Sequence, residues 1–186
     1  MPTSAFHATP MDDTRLSRQG TLDSLVPAVY DELRAIARRQ LSARGLGNTL
    51  STTGLVHEAY LKLLEQQRVT CRDGTHLVAL ASLVMRHVLV DRARARLAEK
   101  RDGHRQRIPL TSELIAAEDQ PEAMLQLNDA IERLALVDPR LARVVDCRFF
   151  GGLTDEEIAE ALGVTRRTVQ RDWVKARLLL RRALSA

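Results

Sequence analysis

Aromatic residues, cysteines and long apolar runs are scarce in this chain, and each scarcity excludes a class of protein. Only 3% of the 186 residues are aromatic, which argues against β-sandwiches and β-barrels, whose strands favour aromatic side chains. The two cysteines, Cys71 and Cys147, lie far apart and outside any CxxC spacing, so neither a zinc site nor a disulfide framework is predicted. The sequence contains no run of about 18 apolar residues, and residues 1–20 lack an apolar segment of signal-peptide length. We therefore expect a cytoplasmic protein without a membrane span.

The composition that is present suits a folded, basic protein. Hydrophobic residues make up 45% of the chain and charged residues 28%, so a core can form. The length allows one domain of ordinary size or two small ones. A net charge of +4 and a pI near 9.6 point to a polyanionic partner such as nucleic acid.

Apolar residues recur at the three-and-four spacing of amphipathic helices, and no segment shows the sustained alternation of a strand. The pattern predicts helices near residues 22–41, 52–66, 75–98, 122–136 and 139–149. Residues 99–121 carry no period and contain two prolines, which is typical of a linker. The sequence therefore predicts an all-α protein of two small helical domains joined by a flexible linker. The predicted parts are a disordered tail (1–20), a first domain (21–98), the linker (99–121) and a second domain (122–186).

The stretch LTDEEIAEALGVTRRTVQRDWVKAR, residues 153–177, predicts a helix-turn-helix. Thr154 and Glu157 have the spacing of a capping box at the start of a short helix. Gly163 permits a tight turn, and Thr165 can cap a longer second helix whose inner face includes Trp173. We expect Trp173 to belong to the core rather than to stack on a base.

The second helix of this unit begins with a cluster of basic and amide side chains. A recognition helix presents its N-terminal residues to the major groove, where arginine can bind guanine and glutamine can bind adenine. Lys175 lies farther along and is better placed for phosphate. The predicted DNA-contacting residues are Thr165, Arg166, Arg167, Gln170, Arg171 and Lys175. An antiparallel helical hairpin with a solvated basic face is the alternative, and the short first helix and the glycine turn weigh against it.

A second basic segment, residues 85–107, supplies charge for phosphate neutralisation. Its arginines in the predicted helix are Arg86, Arg92, Arg94 and Arg96. The alternative is a solvated helix end followed by a basic linker. Asp91, three residues before Arg94, is expected to be a structural ion-pair partner rather than a catalytic acid.

Residue patterns that carry enzymatic chemistry are missing. His57-Glu58 begins like a zinc-protease motif, but Leu61 stands where the second histidine belongs. The remaining histidines show no ligand spacing, and no nucleophile–histidine–acid set is present. We therefore predict no catalytic residues, no metal and no cofactor.

Three stretches resemble the extracytoplasmic-function (ECF) class of bacterial RNA polymerase sigma factors. They are LVHEAYLKLL at 55–64, MRHVLVDRARAR at 85–96, and GGLTDEEIAEALGVTRRTVQRDWVKAR at 151–177. By that resemblance, the first docks on the β′ clamp helices of the polymerase, the second melts and reads the −10 element, and the third reads the −35 element.

The resemblance implies core RNA polymerase, through its β′ clamp helices and β flap, and promoter DNA as partners. It also allows an anti-sigma factor. The implied polymerase contacts are Glu58, Lys62 and Glu65, and the implied −10 contacts are the four helical arginines named above. One departure is that LVALASLVMRHVLVD lacks the aromatic residues usual in the melting region. The alternative function is a stand-alone helix-turn-helix regulator with a helical N-terminal sensor or dimerisation domain.

Overall fold

The computed structural model of the chain describes residues 12–42, 50–65, 71–101 and 121–185. Within those ranges the chain forms seven α-helices and one π-helical turn, and no strands. The all-α prediction is therefore confirmed. Most of the predicted linker, residues 102–120, lies outside the described residues, as do residues 1–11 of the predicted tail.

The N-terminal set contains three helices: α1 (Asp12–Ser42), α2 (Thr52–Glu65) and α3 (Gly74–Arg101). The last two agree with the predicted helices to within three residues at either end. The sequence predicts a tail over residues 1–20, and in the structure residues 12–20 of that range belong to α1. Helical backbone satisfies its own hydrogen bonds, so α1 can extend beyond the apolar pattern that marks the packed helix.

The C-terminal set contains α4 (Pro121–Val137), α5 (Pro139–Val145), α6 (Asp155–Leu162) and α7 (Arg166–Leu184). Asp138 caps α5, because its carboxylate accepts from the Arg140 backbone N–H at 3.0 Å. The helix predicted over residues 139–149 departs from α geometry at Asp146 and continues as a π-helical turn, Asp146–Gly151. Gly152 then ends the turn in the left-handed region at φ 67°, which glycine adopts without strain.

Both helical sets contribute to one continuous hydrophobic core. Its fully buried side chains include Leu77 and Met85 of α3, Phe150 of the π-helical turn and Ile158 of α6. The helix α3 is central to this arrangement, because it packs against α1 and α2 on one side and against α4, the π-helical turn and α6 on the other. None of the described helices combines the length and apolar character that crossing a bilayer requires.

Candidate nucleic-acid interface

The helices α6 and α7 form the predicted helix-turn-helix. The capping box is confirmed, because the Glu157 carboxylate accepts from the Thr154 backbone N–H at 2.7 Å while the Thr154 hydroxyl accepts from the Glu157 N–H at 3.3 Å. Gly163 adopts φ 65° at the end of α6. Thr165 caps α7 by accepting from the Thr168 backbone N–H at 3.2 Å. This cap agrees with the sequence prediction and fixes where the basic side chains of α7 begin.

The predicted DNA-contacting side chains at the start of α7 are exposed. The acidic start of α6 holds two of them: Arg166 pairs with Glu156 at 2.8 Å, and Gln170 Nε2 donates to Asp155 Oδ2 at 3.1 Å. Arg167 and Lys175 have no hydrogen-bond or ion-pair partner among the described residues. The cluster therefore faces solvent, where a groove or a phosphate can approach it.

Electrostatics make this cluster unusual for a helix start. The N-terminal end of a helix carries a partial positive charge, so cations there are unfavourable by roughly 0.3–1 kcal/mol each. Arg166 and Arg167 nevertheless occupy the first two positions of α7, and only Arg166 has an acidic partner among the described residues. An incoming anion would relieve this repulsion, so the local charge arrangement favours a polyanionic ligand.

Behind the cluster, buried and half-buried groups hold α7 in place. Asp172 is 2% exposed and accepts from Arg140 Nε of α5 at 2.6 Å. The guanidinium of Arg148 lies 5.0 Å from the Trp173 ring centroid and forms an ion pair with Asp155. Trp173 packs against the core, which confirms its predicted role. The sequence reasoning missed Asp172, although its spacing from the buried Val169 places it on the inner face.

The basic end of α3 is partly tied to neighbouring acidic residues. Arg92 forms an ion pair with Glu58 of α2. Asp91 accepts from Lys62 Nζ at 2.5 Å and lies 3.6 Å from Arg94, so its predicted ion-pair role is confirmed. Arg94 remains largely exposed, and Arg96 is half-buried. These arginines form a second basic surface, less exposed than the start of α7.

Arg86 has a different environment from the other three arginines. It is 3% exposed and lies between α3, α4 and the π-helical turn. Its Nε donates to Asp146 Oδ1 at 2.7 Å, while Nη1 lies 3.1 Å from Glu132 Oε1 and also donates to Asn128 Oδ1. In this conformation Arg86 is not available to DNA. The apolar residues on both sides of it in LVMRHVLV are a sequence signal of burial.

The carboxyl group of Asp146 is buried with Arg86. Burial raises the pKa of Asp146 to about 6, and the nearby guanidinium of Arg86 only partly offsets this rise. Arg143 also lowers the pKa of this carboxyl, whereas Glu132 raises it. The pair therefore carries a substantial desolvation cost despite its short contact.

The predicted polymerase-contacting residues lie on α2. Glu58 and Lys62 are half-buried because they pair with Arg92 and Asp91 of α3. Glu65 is exposed at the end of the helix. Leu61 and His57 are also exposed on α2, so the outer face of this helix carries both apolar and polar side chains.

The protein is thus all-α, with a capped, basic helix-turn-helix and a second basic surface at the end of α3. These features are typical of DNA-binding proteins. The family model described as ECF sigma factor matches residues 17–186, so the chain belongs to the ECF sigma factor family. No curated protein and no solved structure matches the chain. Family membership confirms the resemblance inferred from the sequence and gives the chain a role in transcription initiation, with RNA polymerase and promoter DNA as partners.

Proposed function

We propose that this chain binds core RNA polymerase and directs promoter-specific initiation by recognising −35 and −10 elements. The start of α7 reads the −35 element, and the basic end of α3 contacts the −10 region. The outer face of α2 meets the β′ clamp helices, and the C-terminal set meets the β flap. The cytoplasm is the proposed location. An anti-sigma factor is included among the proposed partners on the family resemblance alone.

The observation that carries this proposal is the exposed cluster at the start of α7. Arg167 and Gln170 are exposed on a helix whose start is fixed by the Thr165 cap. The guanidinium and amide groups suit bidentate contacts with guanine and adenine. Lys175, about one turn farther along, is suited to phosphate, so the helix offers side chains for both base recognition and phosphate binding.

Exposure and charge support the proposed −10 and polymerase contacts. Arg94 is the most exposed of the three accessible arginines of α3, and its charge suits phosphate. On α2, Glu58 and Lys62 retain more than a third of their side-chain surface, so a partner can still reach them. Strand opening without aromatic residues in the predicted melting region falls to other side chains.

Run-off transcription with purified core polymerase and genomic promoter fragments tests the proposal. The chain is expected to give transcripts from a specific subset of fragments only when core polymerase is present, and to bind the same fragments weakly alone. Tight binding to a palindromic site without polymerase, together with no specific transcript, would instead support a stand-alone regulator.

A further inference from the structure

The outer face of α7 carries an apolar side chain among its basic ones. Val174 is 67% exposed, the largest exposed fraction among the large apolar residues of α7. It is not part of the core, because the buried residues of this helix are Val169, Asp172 and Ala176 on the opposite side. A single exposed valine is ordinary on a protein surface, so its meaning depends on which residues share its face.

Val174 shares its face with side chains proposed to contact the −35 element. Arg167, Gln170, Arg171 and Val174 follow the spacing i, i+3, i+4 and i+7 along α7, which places all four on one side of the helix. All four are exposed, and we name them the outer stripe of α7. The recognition helix of a homeodomain uses the same spacing for its contacts in the major groove.

A second exposed apolar residue marks where the outer stripe ends. Leu178 is 53% exposed and lies four residues beyond Val174, which is about 6 Å farther from the start of the helix. A recognition helix presents its N-terminal residues to the base edges. Val174 therefore falls within the spacing used for base contacts, whereas Leu178 falls one turn outside it.

The chemistry of valine at this position matches one feature of the major groove. Each A·T pair presents the C5 methyl group of thymine there, and apolar side chains contact that methyl group. Gln170, one turn before Val174, is suited to adenine, so an A·T pair already belongs to the proposed contact. Valine in a helix holds one χ1 rotamer in about nine cases of ten. Its methyl groups are therefore positioned before binding and lose little freedom on contact.

The surrounding charge favours DNA over a second copy of the chain as the group that covers Val174. Arg167, Arg171 and Lys175 are exposed cations close to Val174 along the helix. Two such faces placed together would bring like charges into contact, which is unfavourable. A DNA groove instead offers phosphates to the cations and thymine methyl groups to the valine.

We propose that Val174 reads a thymine of the −35 element through the C5 methyl group, and that it determines specificity together with Arg167 and Gln170. The inference rests on the proposed function, which assigns −35 recognition to α7. It adds an apolar contact to a helix whose other proposed contacts are polar or charged, and it leaves Leu178 outside the set of base-reading residues.

Deoxyuridine in place of thymine tests the proposal, because it removes the C5 methyl group and keeps the base pair. The chain is combined with core polymerase and bound to a promoter fragment found in the run-off assay. Each thymine of the −35 element, on both strands, is replaced singly. At one position the wild-type complex is expected to lose about fourfold in affinity, which corresponds to the roughly 0.8 kcal/mol expected for one buried methylene-sized group.

Val174→Ala is the matching change in the protein. It is expected to show a similar loss on the thymine fragment and to bind the thymine and deoxyuridine fragments equally. The variant is expected to fold, because the side chain is exposed and alanine has the higher helix propensity. Leu178→Ala is the control, since it shortens an exposed apolar side chain one turn away. It is expected to keep the full difference between the two fragments.

A wild-type complex that tolerates deoxyuridine at every −35 position would overturn the proposal, as would a −35 element without an A·T pair. Retention of the thymine preference by Val174→Ala would also overturn it. An equal loss on both fragments would then assign this side chain to a protein contact, with polymerase or with a second copy of the chain. The proposed function fails differently, because the wild type would then give no specific transcript with core polymerase.

Discussion

At the scale of single residues, Arg86 and Asp146 bring charge into the core, and the environment of Asp146 makes that charge depend on pH. The pKa of Asp146 is raised to about 6 by burial, against the attraction of Arg86 and Arg143 and with the repulsion of Glu132. Because the folded chain holds this proton more tightly than the unfolded chain, the contribution to stability is fully present below about pH 4. It is lost as the pH rises through about 6.

A pH series of wild type and Asp146→Asn therefore separates this group from the rest of the molecule. Between pH 5 and 7.5 the wild type is expected to lose on the order of 1 kcal/mol of unfolding free energy relative to the variant. The histidines act in the opposite direction. Burial lowers the pKa of His76 and His87, so their contribution to stability is lost as the pH falls through about 6.5.

The comparison is made by chemical denaturation at each pH, because the histidine contributions are common to both proteins and cancel in the difference. A difference between wild type and Asp146→Asn that stays constant across this range would show that Asp146 titrates at an ordinary pKa.

At the scale of elements, α7 carries residues proposed for two kinds of DNA contact, Arg167 for bases and Lys175 for phosphate. Alanine at Arg167 is expected to lower transcription from the cognate promoter and to blunt the effect of mutating its −35 element, because a bidentate base contact is worth roughly 1–3 kcal/mol of discrimination. Alanine at Lys175 is expected to weaken binding to all promoters alike. It is also expected to reduce the slope of log affinity against log salt concentration by about one unit.

The two alanine variants of α7 serve as controls for each other, since Arg167 and Lys175 are both exposed cations without a partner among the described residues. Run-off assays on promoters with intact and altered −35 elements, at several salt concentrations, give both quantities. If both substitutions lower transcription from every promoter by the same factor, α7 contributes only electrostatic attraction and promoter specificity lies elsewhere.

The outer face of α2 needs a paired substitution, because Lys62 is joined to Asp91 of α3 at 2.5 Å. Reversing Lys62 to glutamate alone would place two carboxylates together. Lys62→Glu combined with Asp91→Lys restores the ion pair with the charges exchanged. Asp91→Lys also removes the ion pair with Arg94. The double variant is expected to stay within about 1 kcal/mol of the wild-type stability, since an exposed pair contributes only about 0.2–1 kcal/mol.

Core-polymerase pull-down then reports on the proposed docking surface. The double variant is expected to bind less polymerase than the wild type while it remains folded, with at most a small fall in melting temperature. Full binding by this variant would remove Lys62 from the proposed contact without affecting the assignment of the other two residues.

At the scale of the whole molecule, the two helical sets are predicted domains that also share a core. Residues 99–121 are polar, rich in arginine and interrupted by prolines, so limited trypsin digestion is expected to cut there first. Denaturing gels should show fragments close to residues 1–101 and 108–186. First cleavage inside either helical set, or uniform degradation, would contradict the two-domain prediction.

Native size-exclusion chromatography of the same digest adds information about the contact between the two helical sets. Because Arg86, Gln40 and Arg72 join the two sets in this structure, the fragments are expected to elute together after the chain is cut. Separate elution of two folded fragments would support the domain boundaries while showing that the contact between them is weak.

The sequence alone predicted most of the helices, the caps of the helix-turn-helix and the family, but not the early start of α1 or the π-helical turn. The Thr154–Glu157 capping box, the Asp138 cap and the Gly163 turn depend on residues within about four positions of one another, and such local patterns are visible in a single chain. The exposed start of α7 followed from the same reasoning, because apolar spacing defines the inner face and leaves the polar residues outside.

Only the tertiary structure decided which polar residues leave the surface. Arg86 and Asp146 are 60 positions apart, and Gln40 meets the Phe150 carbonyl across 110 positions. No periodicity within one helix specifies such a partner. Burial of a charge depends on the complementary group that another element brings to it. The sequence therefore determined which helices form and which surface of α7 is basic, whereas the packing of α3 against the π-helical turn determined that Arg86 is held inside.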